Sequence, residues 1–455
     1  METINKYLTG VCVPVALAFF ALFFLIKLKG RPLNKSIFML KNIFKGEKRN
    51  GVSPLRAVIF ALAGTLGVGN IVGVASAMAL GGAGSVLWMW ISALLAMILK
   101  YCEVVLAVRH RRNRNGENYG GAMYYMKDFF DSCKKHGFGY IFILIFVIFC
   151  LANGFTMGCM IQSNSIARAF EAVFELNGNF IAIILAILGI VVFFFNGKKI
   201  FALCEKLVPF VSAIYLIMSL SVILISYREI PRVLCSIFND AFSFRSAGAG
   251  ILGFFTSRAL RYGTIRGLFS NEAGCGTAPI AHATSNTNSA CEQGFLGIIE
   301  VFIDTVLVCS MTAFVILLNW DVASNYVLNP IMMAFSGFSS SIGYFSNILL
   351  SFSVFLFAFA TIICWGYYGK ECIYFLNKSK RAENIYYCIY ILLICLGCII
   401  SLDIVWEIAD LAVGVMTLMN LLILALMCDE IKTETDNYFI KKSFQKGSSN
   451  NYKIE

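Results

Sequence analysis

Long apolar runs, separated by short polar and basic stretches, fill most of this chain of 455 residues. The runs reach about 18 residues or more, the length that an α-helix needs to cross the hydrocarbon core of a bilayer. The pattern predicts an extra helix near residues 8–28, followed by core helices 1 to 10. The core helices are predicted near residues 54–78, 84–108, 138–168, 179–196, 204–226, 247–283, 294–318, 345–376, 385–402 and 404–428. We therefore expect an all-α polytopic membrane protein.

Glycines interrupt core helix 1. Residues 64–73 read GTLGVGNIVG inside an otherwise apolar span. Because hydrocarbon cannot satisfy free backbone N–H and C=O groups, a broken helix persists in a membrane only where it lines a cavity. Such a break exposes backbone groups that can hold an ion or a zwitterion. The alternative is close helix packing, since Gly69 and Gly73 form a pair of small residues four positions apart.

A second interruption lies five core helices later. Residues 263–279 read GTIRGLFSNEAGCGTAP, again with an Asn among glycines. Interrupted helices at corresponding positions of two halves predict a transporter built from inverted repeats. The expected division is an extra helix and basic loop (1–53), a first five-helix repeat (54–228), a second five-helix repeat (229–428) and a polar tail (429–455). The tail is polar enough that we expect it to be disordered.

Composition excludes a soluble protein. Hydrophobic residues make up 59% of the chain, charged residues make up 14%, and the mean hydropathy is +0.76. That much apolar surface cannot be hidden in a soluble fold of this size. The H-E-x-x-H metal motif and the G-x-x-x-x-G-K-[ST] phosphate loop are absent from the sequence, so we expect neither a membrane enzyme nor an ATP-driven pump. A channel is a weaker alternative, because channels usually carry a repeated filter loop or oligomeric rings.

Basic residues are concentrated in alternate connections. Residues 27–56 and 109–137 are rich in Lys and Arg, whereas residues 169–178 and 319–344 contain none. By the positive-inside rule the basic connections are cytoplasmic, which places the N-terminus outside and the tail inside. The net charge of +11 is therefore a signal of orientation in the bilayer and not of a nucleic-acid partner. We expect a bacterial cytoplasmic membrane protein.

Several motifs follow one another in a specific order. They are GGAGSVLWMW at 81–90, KYCEV at 100–104, GGAMYY at 120–125, RGLFSNEAG at 266–274, APIAHA at 278–283, FIDT at 302–305 and WGYYG at 365–369. Together with the glycine-rich break they resemble the alanine or glycine:cation symporter family, also called sodium/alanine symporters. The chain departs from the usual family pattern at Ala83 and Ala122, where Pro is common, and at Cys275, where Leu is common.

The resemblance implies a LeuT-like fold with discontinuous core helices 1 and 6. It also implies symport of sodium with a small neutral amino acid, chiefly alanine or glycine, by alternating access. Some relatives prefer glutamine or use protons, so both alternatives stay open. No cofactor is expected apart from sodium as the coupling ion. We expect the protein to work as a monomer in the lipid bilayer.

The break in core helix 1 is the predicted centre of the substrate site. A helix N-terminus carries free N–H groups and a partial positive charge, which suits a carboxylate. We assign the backbone of Gly67 to Gly69 to the substrate carboxylate and place Asn70 at the centre. Core helix 6 is expected to end its first half near Gly267 to Phe269, where the freed carbonyls can accept from the substrate ammonium. Ser270 and Asn271 then serve as ligands or as N-caps of the second half.

Core helices 3 and 8 supply the remaining predicted walls. By resemblance Gln162 reaches the substrate, and the alternative is a hydrogen bond between helices. Thr361 and Trp365 are four residues apart and share a helix face. Trp365 would bound the side-chain pocket, and Thr361 would bind the amine or the cation. Sodium is expected between the carbonyls of Ala63 and Leu66 on core helix 1 and the core helix 8 residues near Ala360 and Thr361.

Other ionisable residues inside the spans are harder to assign. Glu300 and Asp304 share one helix face, and intramembrane carboxylates often mark ion paths; neither is placed at the site. An Arg266–Glu272 ion pair is expected, with Glu272 in the first turn of the second half of core helix 6. The remaining acids and the histidine are expected to be structural or to lie near the membrane surface: Glu103, His282, Asp403, Glu407 and Asp410.

Overall fold

The computed structural model describes residues 2–34, 52–195, 200–242 and 258–450. Regular structure in those ranges is helical except for one two-stranded hairpin. Eight helices within them are long and apolar enough to cross a membrane, and one bent pair of helices makes a ninth. The predicted all-α polytopic architecture is therefore confirmed. Much of the predicted basic loop and the predicted start of core helix 6, at 35–51 and 247–257, lie outside the described residues.

Each predicted span corresponds to an observed helix, although core helices 4 and 6, as far as they are described, are not among the nine counted above. The extra N-terminal helix runs over Thr3–Lys27. The core helices, in order, are Pro54–Thr65 with Val68–Gly81, Ser85–Arg109, His136–Phe174, Gly178–Phe194, Ile200–Ile225, Arg258–Asn271 with Ala278–His282, Ala290–Leu318, Phe345–Leu376, Lys380–Ile399 and Asp403–Leu426. The division into two repeats at residues 228 and 229 stays a prediction.

Local backbone geometry explains why two core helices are broken. The two pieces of core helix 1 meet at 61°, because Leu66 and Gly67 leave the helical region (ψ 79° and −154°). In core helix 6 the break spans residues 272–277, where Glu272, Gly274 and Gly276 have φ angles of 51°, 86° and 82°. These left-handed angles are readily adopted by glycine and costly for other residues. The glycine patterns therefore mark both breaks.

Burial separates central helices from peripheral ones. The most apolar window of core helix 2 is 83% buried and that of core helix 8 is 72% buried, whereas that of core helix 5 is only 33% buried. Core helix 5 presents Phe210, Ile217 and Leu224 outward. An apolar exposed face on a spanning helix is the face expected to meet lipid. The two broken helices pack against the central ones, so the breaks lie inside the bundle.

The connections between the spans contain a hairpin and short helices that the apolar pattern does not predict. Between core helices 2 and 3, strands Arg112–Arg114 and Glu117–Tyr119 form an antiparallel hairpin, followed by helix Ala122–Ser132. Helix Ile230–Ala241 precedes core helix 6. Helices Trp320–Ala323 and Pro330–Ile342 lie between core helices 7 and 8.

The predicted disorder of the tail is wrong for the part up to residue 450, because a helix occupies Cys428–Asn450. We call it the C-terminal helix. Ile431 is fully buried, and the rings of Tyr438 and Phe439 pack on Phe295 of core helix 7 at centroid distances of 5.7 and 6.2 Å. These residues recur at helical spacing on one face. Apolar packing against the bundle therefore orders a segment whose overall composition is polar.

Candidate functional site

Two side chains stabilise the break in core helix 1: one belongs to the break itself and the other to core helix 3. The Gly67 N–H donates to Asn70 Oδ1 at 3.1 Å, and the Val68 N–H donates to Gln162 Oε1 at 3.1 Å. The Gln162 amide also donates to the Met157 carbonyl at 3.0 Å. Gln162 therefore makes the interhelical hydrogen bond that was the alternative to substrate contact, and it does so at the edge of the break.

Close packing leaves no room for a side chain at Gly67. A Cβ atom at this position would lie 2.7 Å from Thr361 Oγ1 and 3.0 Å from Gln162 Oε1. At Gly69 the nearest atoms to a Cβ would be Ser270 Cα at 3.8 Å and Phe269 Cδ1 at 3.9 Å. Gly67 thus packs against core helices 3 and 8, while Gly69 faces core helix 6 with more room. The break brings all four helices together.

Asn70 joins both broken helices to core helix 7. Its Nδ2 group donates to Asp304 Oδ1 at 2.7 Å and lies 3.0 Å from Ser270 Oγ. The Ser270 hydroxyl donates to Asp304 Oδ2 at 2.8 Å, and the Thr305 hydroxyl donates to the same oxygen at 2.7 Å. All four side chains are buried. Asp304 therefore lies at the centre of the site, where the sequence analysis did not place it.

Core helix 6 breaks later than predicted. Its first piece continues to Asn271, so Ser270 and Asn271 are its last residues and not the N-caps of the second piece. The Asn271 side chain accepts from the Ala273 N–H at 3.0 Å and donates to Thr305 Oγ1 at 3.2 Å. Phe269 lies inside the first piece, and its ring packs on Trp406 with a centroid distance of 5.2 Å. Left-handed backbone angles at Glu272, Gly274 and Gly276 set the break, whereas Gly267 has no such angle.

The predicted Arg266–Glu272 ion pair is also wrong. Arg266 lies 3.7 Å from Asp410 of core helix 10 and 4.5 Å from the centroid of the Trp406 ring. Glu272 lies in the break, where its two oxygens accept from Trp365 Nε1 at 3.2 Å and from the Thr277 hydroxyl at 2.7 Å. Arg266 lies inside the first piece and Glu272 at the start of the break, which comes later in the chain than predicted.

Trp365 fixes core helix 8 to the break of core helix 6. It is fully buried, and its ring lies against Gly158, where an added Cβ would be 2.3 Å from the indole Cγ. Its indole N–H donates to Glu272, as described above. The structure therefore holds Trp365 in one orientation next to both core helix 3 and core helix 6.

Oxygen atoms crowd around the Thr361 hydroxyl. Thr361 Oγ1 lies 3.0 Å from the Ala63 carbonyl, 3.5 Å from the Leu66 carbonyl and 3.1 Å from the Phe357 carbonyl. A hydroxyl has one hydrogen and can donate fully to only one of these acceptors. Ala360, the fourth residue predicted for sodium, is buried next to Thr361.

The break frees the two carbonyls of core helix 1. In a continuous helix Ala63 would accept from the Gly67 N–H, but that group donates to Thr65 and Asn70. Likewise the Asn70 N–H reaches the Gly67 carbonyl at 3.3 Å and not that of Leu66. Freed carbonyls at the end of a half-helix are the ligands that discontinuous transport helices offer to sodium.

Charged residues of core helices 2, 6 and 7 form a buried network that the sequence did not predict. Lys100 Nζ lies 3.1 Å from Glu300 Oε1, and His282 Nε2 lies 2.7 Å from Glu300 Oε2. Glu103 accepts from the Gly276 N–H at 2.8 Å and also from Asn420. Glu103 is thus bound to the broken backbone of core helix 6 and not to the basic end of its own helix. Its partners come from distant parts of the chain, so helix spacing alone gave no signal.

Two broken helices that place freed backbone groups, hydroxyls and a carboxylate inside a helical bundle are typical of a secondary transporter. Residues 1–453 match the Sodium:alanine symporter family, and the chain belongs to this family. A crystal structure of a manganese transporter variant from Eremococcus coleocola is similar in fold, with a TM-score of 0.50 and 14% identity over 86% of this chain and 80% of that one. This similarity agrees with the expected LeuT-like fold.

Two curated relatives match over nearly their whole length. The probable sodium/glutamine symporter GlnT of Bacillus subtilis is 34% identical over 444 residues, which cover 96% of this chain and 90% of that protein. The sodium/alanine symporter AgcS of Methanococcus maripaludis is 32% identical over 446 residues, 96% of each chain. The chain is accordingly a multi-pass membrane protein of an amino-acid and sodium symporter family.

Proposed function

We propose that this protein couples the entry of sodium to the uptake of a small neutral amino acid, alanine or glycine, by alternating access. The observation that carries the proposal is the crowding of three carbonyl oxygens around Thr361 Oγ1, directly beside the break of core helix 1. The family and its named relatives, a sodium/alanine symporter and a probable sodium/glutamine symporter, support the same class of function.

Sodium binds between the break of core helix 1 and core helix 8. The carbonyls of Ala63 and Leu66, freed by the break, and the hydroxyl of Thr361 form an uncharged oxygen set. A cation placed among them would give all of these oxygens a common partner, which a single hydroxyl hydrogen cannot do. The core helix 8 backbone at Ala360 completes the proposed set.

The amino acid binds on the other side of the break, between Gly69 and core helix 6. Gly67 and Val68 already donate their N–H groups to side chains, so the substrate carboxylate is directed toward Gly69. The space next to Gly69 is bounded by Phe269 and Ser270, and Asn271 lies just beyond. Asn70, held by Asp304, fixes the polar floor of this site.

Trp365 favours a small substrate. Its ring is fully buried and its N–H is engaged by Glu272, so moving it aside would leave a buried carboxylate oxygen short of a partner. This arrangement supports alanine or glycine over glutamine. Gln162, bound to Val68 at the edge of the break, acts on the site by holding the backbone.

The basic connections set the proposed orientation of the protein in the membrane. The basic connections lie in the cytoplasm, with the N-terminus outside, as the positive-inside rule predicts. The proposal places the protein, as a monomer, in the cytoplasmic membrane of a bacterium.

Uptake by purified protein in liposomes tests this function. Radiolabelled alanine, glycine and glutamine are offered with an inward sodium gradient, an inward proton gradient or potassium alone. We expect accumulation of alanine and glycine above equilibrium only with the sodium gradient. Accumulation driven by protons alone, or a preference for glutamine, would replace the proposal by the corresponding alternative. Equilibration without accumulation would indicate a channel.

A further inference from the structure

The C-terminal helix crosses the end of the bundle that carries the basic connections. Its Asp429 lies 2.8 Å from Lys27 of the N-terminal helix, and its Thr435 hydroxyl is 3.0 Å from the Tyr101 hydroxyl of core helix 2. Its Asp436 lies 2.5 Å from Arg31. With the apolar packing on Phe295, these contacts connect the helix to three different spans. The position of the C-terminal helix therefore depends on how these three spans are arranged at this end of the bundle.

One histidine links the C-terminal helix to the connection between core helices 2 and 3. His110 directly follows core helix 2. Its Nδ1 atom is 2.8 Å from Asp128 Oδ2 on helix Ala122–Ser132, and its Nε2 atom is 3.0 Å from Glu430 Oε1 on the C-terminal helix. The His110 side chain is only 15% exposed. Both ring nitrogens therefore face carboxylate oxygens.

The charges around this histidine come from each element packed on it. Arg109, its neighbour in sequence, lies 3.7 Å from Glu430 and 3.3 Å from Glu434. Arg112 of the hairpin lies 2.5 Å from the other oxygen of Asp128. The two arginines balance part of the acidic charge but leave both His110 contacts in place. No group of histidine, cysteine and acidic side chains within the described ranges has the arrangement of a metal site.

Only the protonated imidazole can satisfy both carboxylates. A neutral imidazole has one N–H and one lone pair, whereas the imidazolium has two N–H donors. An ionised carboxylate only accepts, so in the neutral form one ring nitrogen would turn its lone pair toward a carboxylate oxygen. Burial lowers the pKa of His110, but the hydrogen bonds with Glu430 and Asp128 outweigh burial and raise this pKa above the ordinary 6.5. The same contact lowers the pKa of Glu430.

We propose that His110 is a proton-binding site that sets how firmly the C-terminal helix docks on the bundle. The docked form binds the proton more tightly than the undocked form. The proton therefore stabilises docking fully at pH values below the ordinary pKa of imidazole, and this stabilisation is lost as the pH rises through the raised pKa of the docked form. With the orientation proposed above, the site senses cytoplasmic pH, and alkaline cytoplasm loosens the helix. This inference adds a regulatory proton site to the protein and does not depend on which amino acid is transported.

Hydrogen exchange of the purified full-length protein measures docking directly. Amide exchange of residues 428–441 is followed by mass spectrometry between about pH 6 and about pH 8.5, after division by the intrinsic chemical rate at each pH. We expect the protection of this segment to fall severalfold over that range, because the imidazole loses the proton that supplies its second N–H donor. In His110→Gln, which cannot titrate, the protection should be low and independent of pH.

His136→Gln is the matched control. His136 also contacts a carboxylate, Asp131, at 2.9 Å, but it is 70% exposed and does not touch the C-terminal helix. This variant should retain the wild-type pH dependence. A second variant, Glu430→Gln, removes the charge that favours the imidazolium and should move the loss of protection to lower pH. This variant keeps the test decisive if His110→Gln does not fold.

Three outcomes would overturn the proposal. They are protection of residues 428–441 that does not change with pH in the wild type, an unchanged pH dependence in both His110→Gln and Glu430→Gln, and an equal loss of dependence in His136→Gln. None of these results bears on sodium-driven uptake, which is measured separately, so failure of this inference and failure of the proposed transport function can be told apart.

Discussion

Asn70 Nδ2 lies 2.7 Å from Asp304 Oδ1, although 234 positions separate the two residues in the chain. The same amide is 3.0 Å from Ser270 Oγ, so one carboxylate on core helix 7 holds a residue from each broken helix. Because the three side chains are buried, losing one partner would leave the others without water to replace it. Movements of core helices 1 and 6 at this level are thereby linked to each other.

Replacing Asp304 tests that linkage. Asp304→Asn exchanges an acceptor oxygen for an NH₂ group that faces donors from Asn70, Ser270 or Thr305. We expect uptake to fall at least about tenfold while insertion into the membrane is retained, since an unmatched buried hydrogen bond costs about 1–3 kcal/mol. Asp403→Asn makes the same chemical change at an exposed residue and should stay near the wild-type rate. Normal uptake by Asp304→Asn would show that the network is only structural.

Thr361 should determine the affinity for sodium. Thr361→Val keeps the shape of the side chain but removes its oxygen from the set formed with Ala63 and Leu66. We expect the sodium concentration for half-maximal uptake to rise about tenfold or more, with a smaller change in the KM for the amino acid at saturating sodium. Thr361→Ser retains the hydroxyl and should restore most of the affinity. A sodium dependence that is identical in Val and Ser variants would contradict this sodium site.

The two glycines of the first break should respond differently to one methyl group. Gly67→Ala would place a Cβ atom 2.7 Å from Thr361 Oγ1, inside both the proposed sodium site and the Gln162 contact. Gly69→Ala would meet its nearest atom only at 3.8 Å. We therefore expect Gly67→Ala to lose uptake at least about tenfold, because protein atoms must shift. Gly69→Ala displaces no protein atom, but its methyl group enters the proposed substrate space, so it should raise the KM for the amino acid and leave the sodium dependence near the wild-type value. Uptake rates normalised to the amount of protein in the liposomes give the comparison, and equal effects would show that the difference in packing does not matter.

Trp365 combines bulk with a hydrogen bond, and two variants separate them. Trp365→Phe keeps most of the bulk but removes the donor to Glu272, whereas Trp365→Ala removes both. If the ring limits the pocket, the ratio of kcat/KM for glutamine to that for alanine should rise in Trp365→Ala and stay near the wild-type value in Trp365→Phe. Competition between the two labelled amino acids measures this ratio. An unchanged ratio in Trp365→Ala would exclude Trp365 as the wall of the pocket.

Orientation in the membrane can be read from two exposed positions. Asn113 lies in the hairpin after core helix 2, and Leu328 lies fully exposed between core helices 7 and 8. In a variant depleted of its native cysteines, a membrane-impermeant maleimide added to intact cells should label Leu328→Cys and spare Asn113→Cys until the cells are opened. The reverse pattern would invert the proposed topology.

Local features of the sequence were sufficient for the spans and for the existence of both breaks. A run of apolar residues has to be about 20 residues long to cross hydrocarbon, and glycine can leave the helical region where other residues resist. Both constraints act within a few turns of the chain, so they are visible without tertiary structure. The glycine-rich break of core helix 1, combined with the family resemblance, also predicted that Ala63 and Leu66 lie next to Thr361.

Only the tertiary structure decided which partners complete the site. Asp304 reaches Asn70, and Glu103 reaches the backbone of Gly276, across 234 and 173 positions of sequence. The exact place of the core helix 6 break depended on which glycines took left-handed angles, and the C-terminal helix became ordered by packing on Phe295. Each of these outcomes rests on contacts between distant segments. Helical periodicity and composition describe neighbours along the chain, so they determine the elements but not the pairs that form when the helices pack.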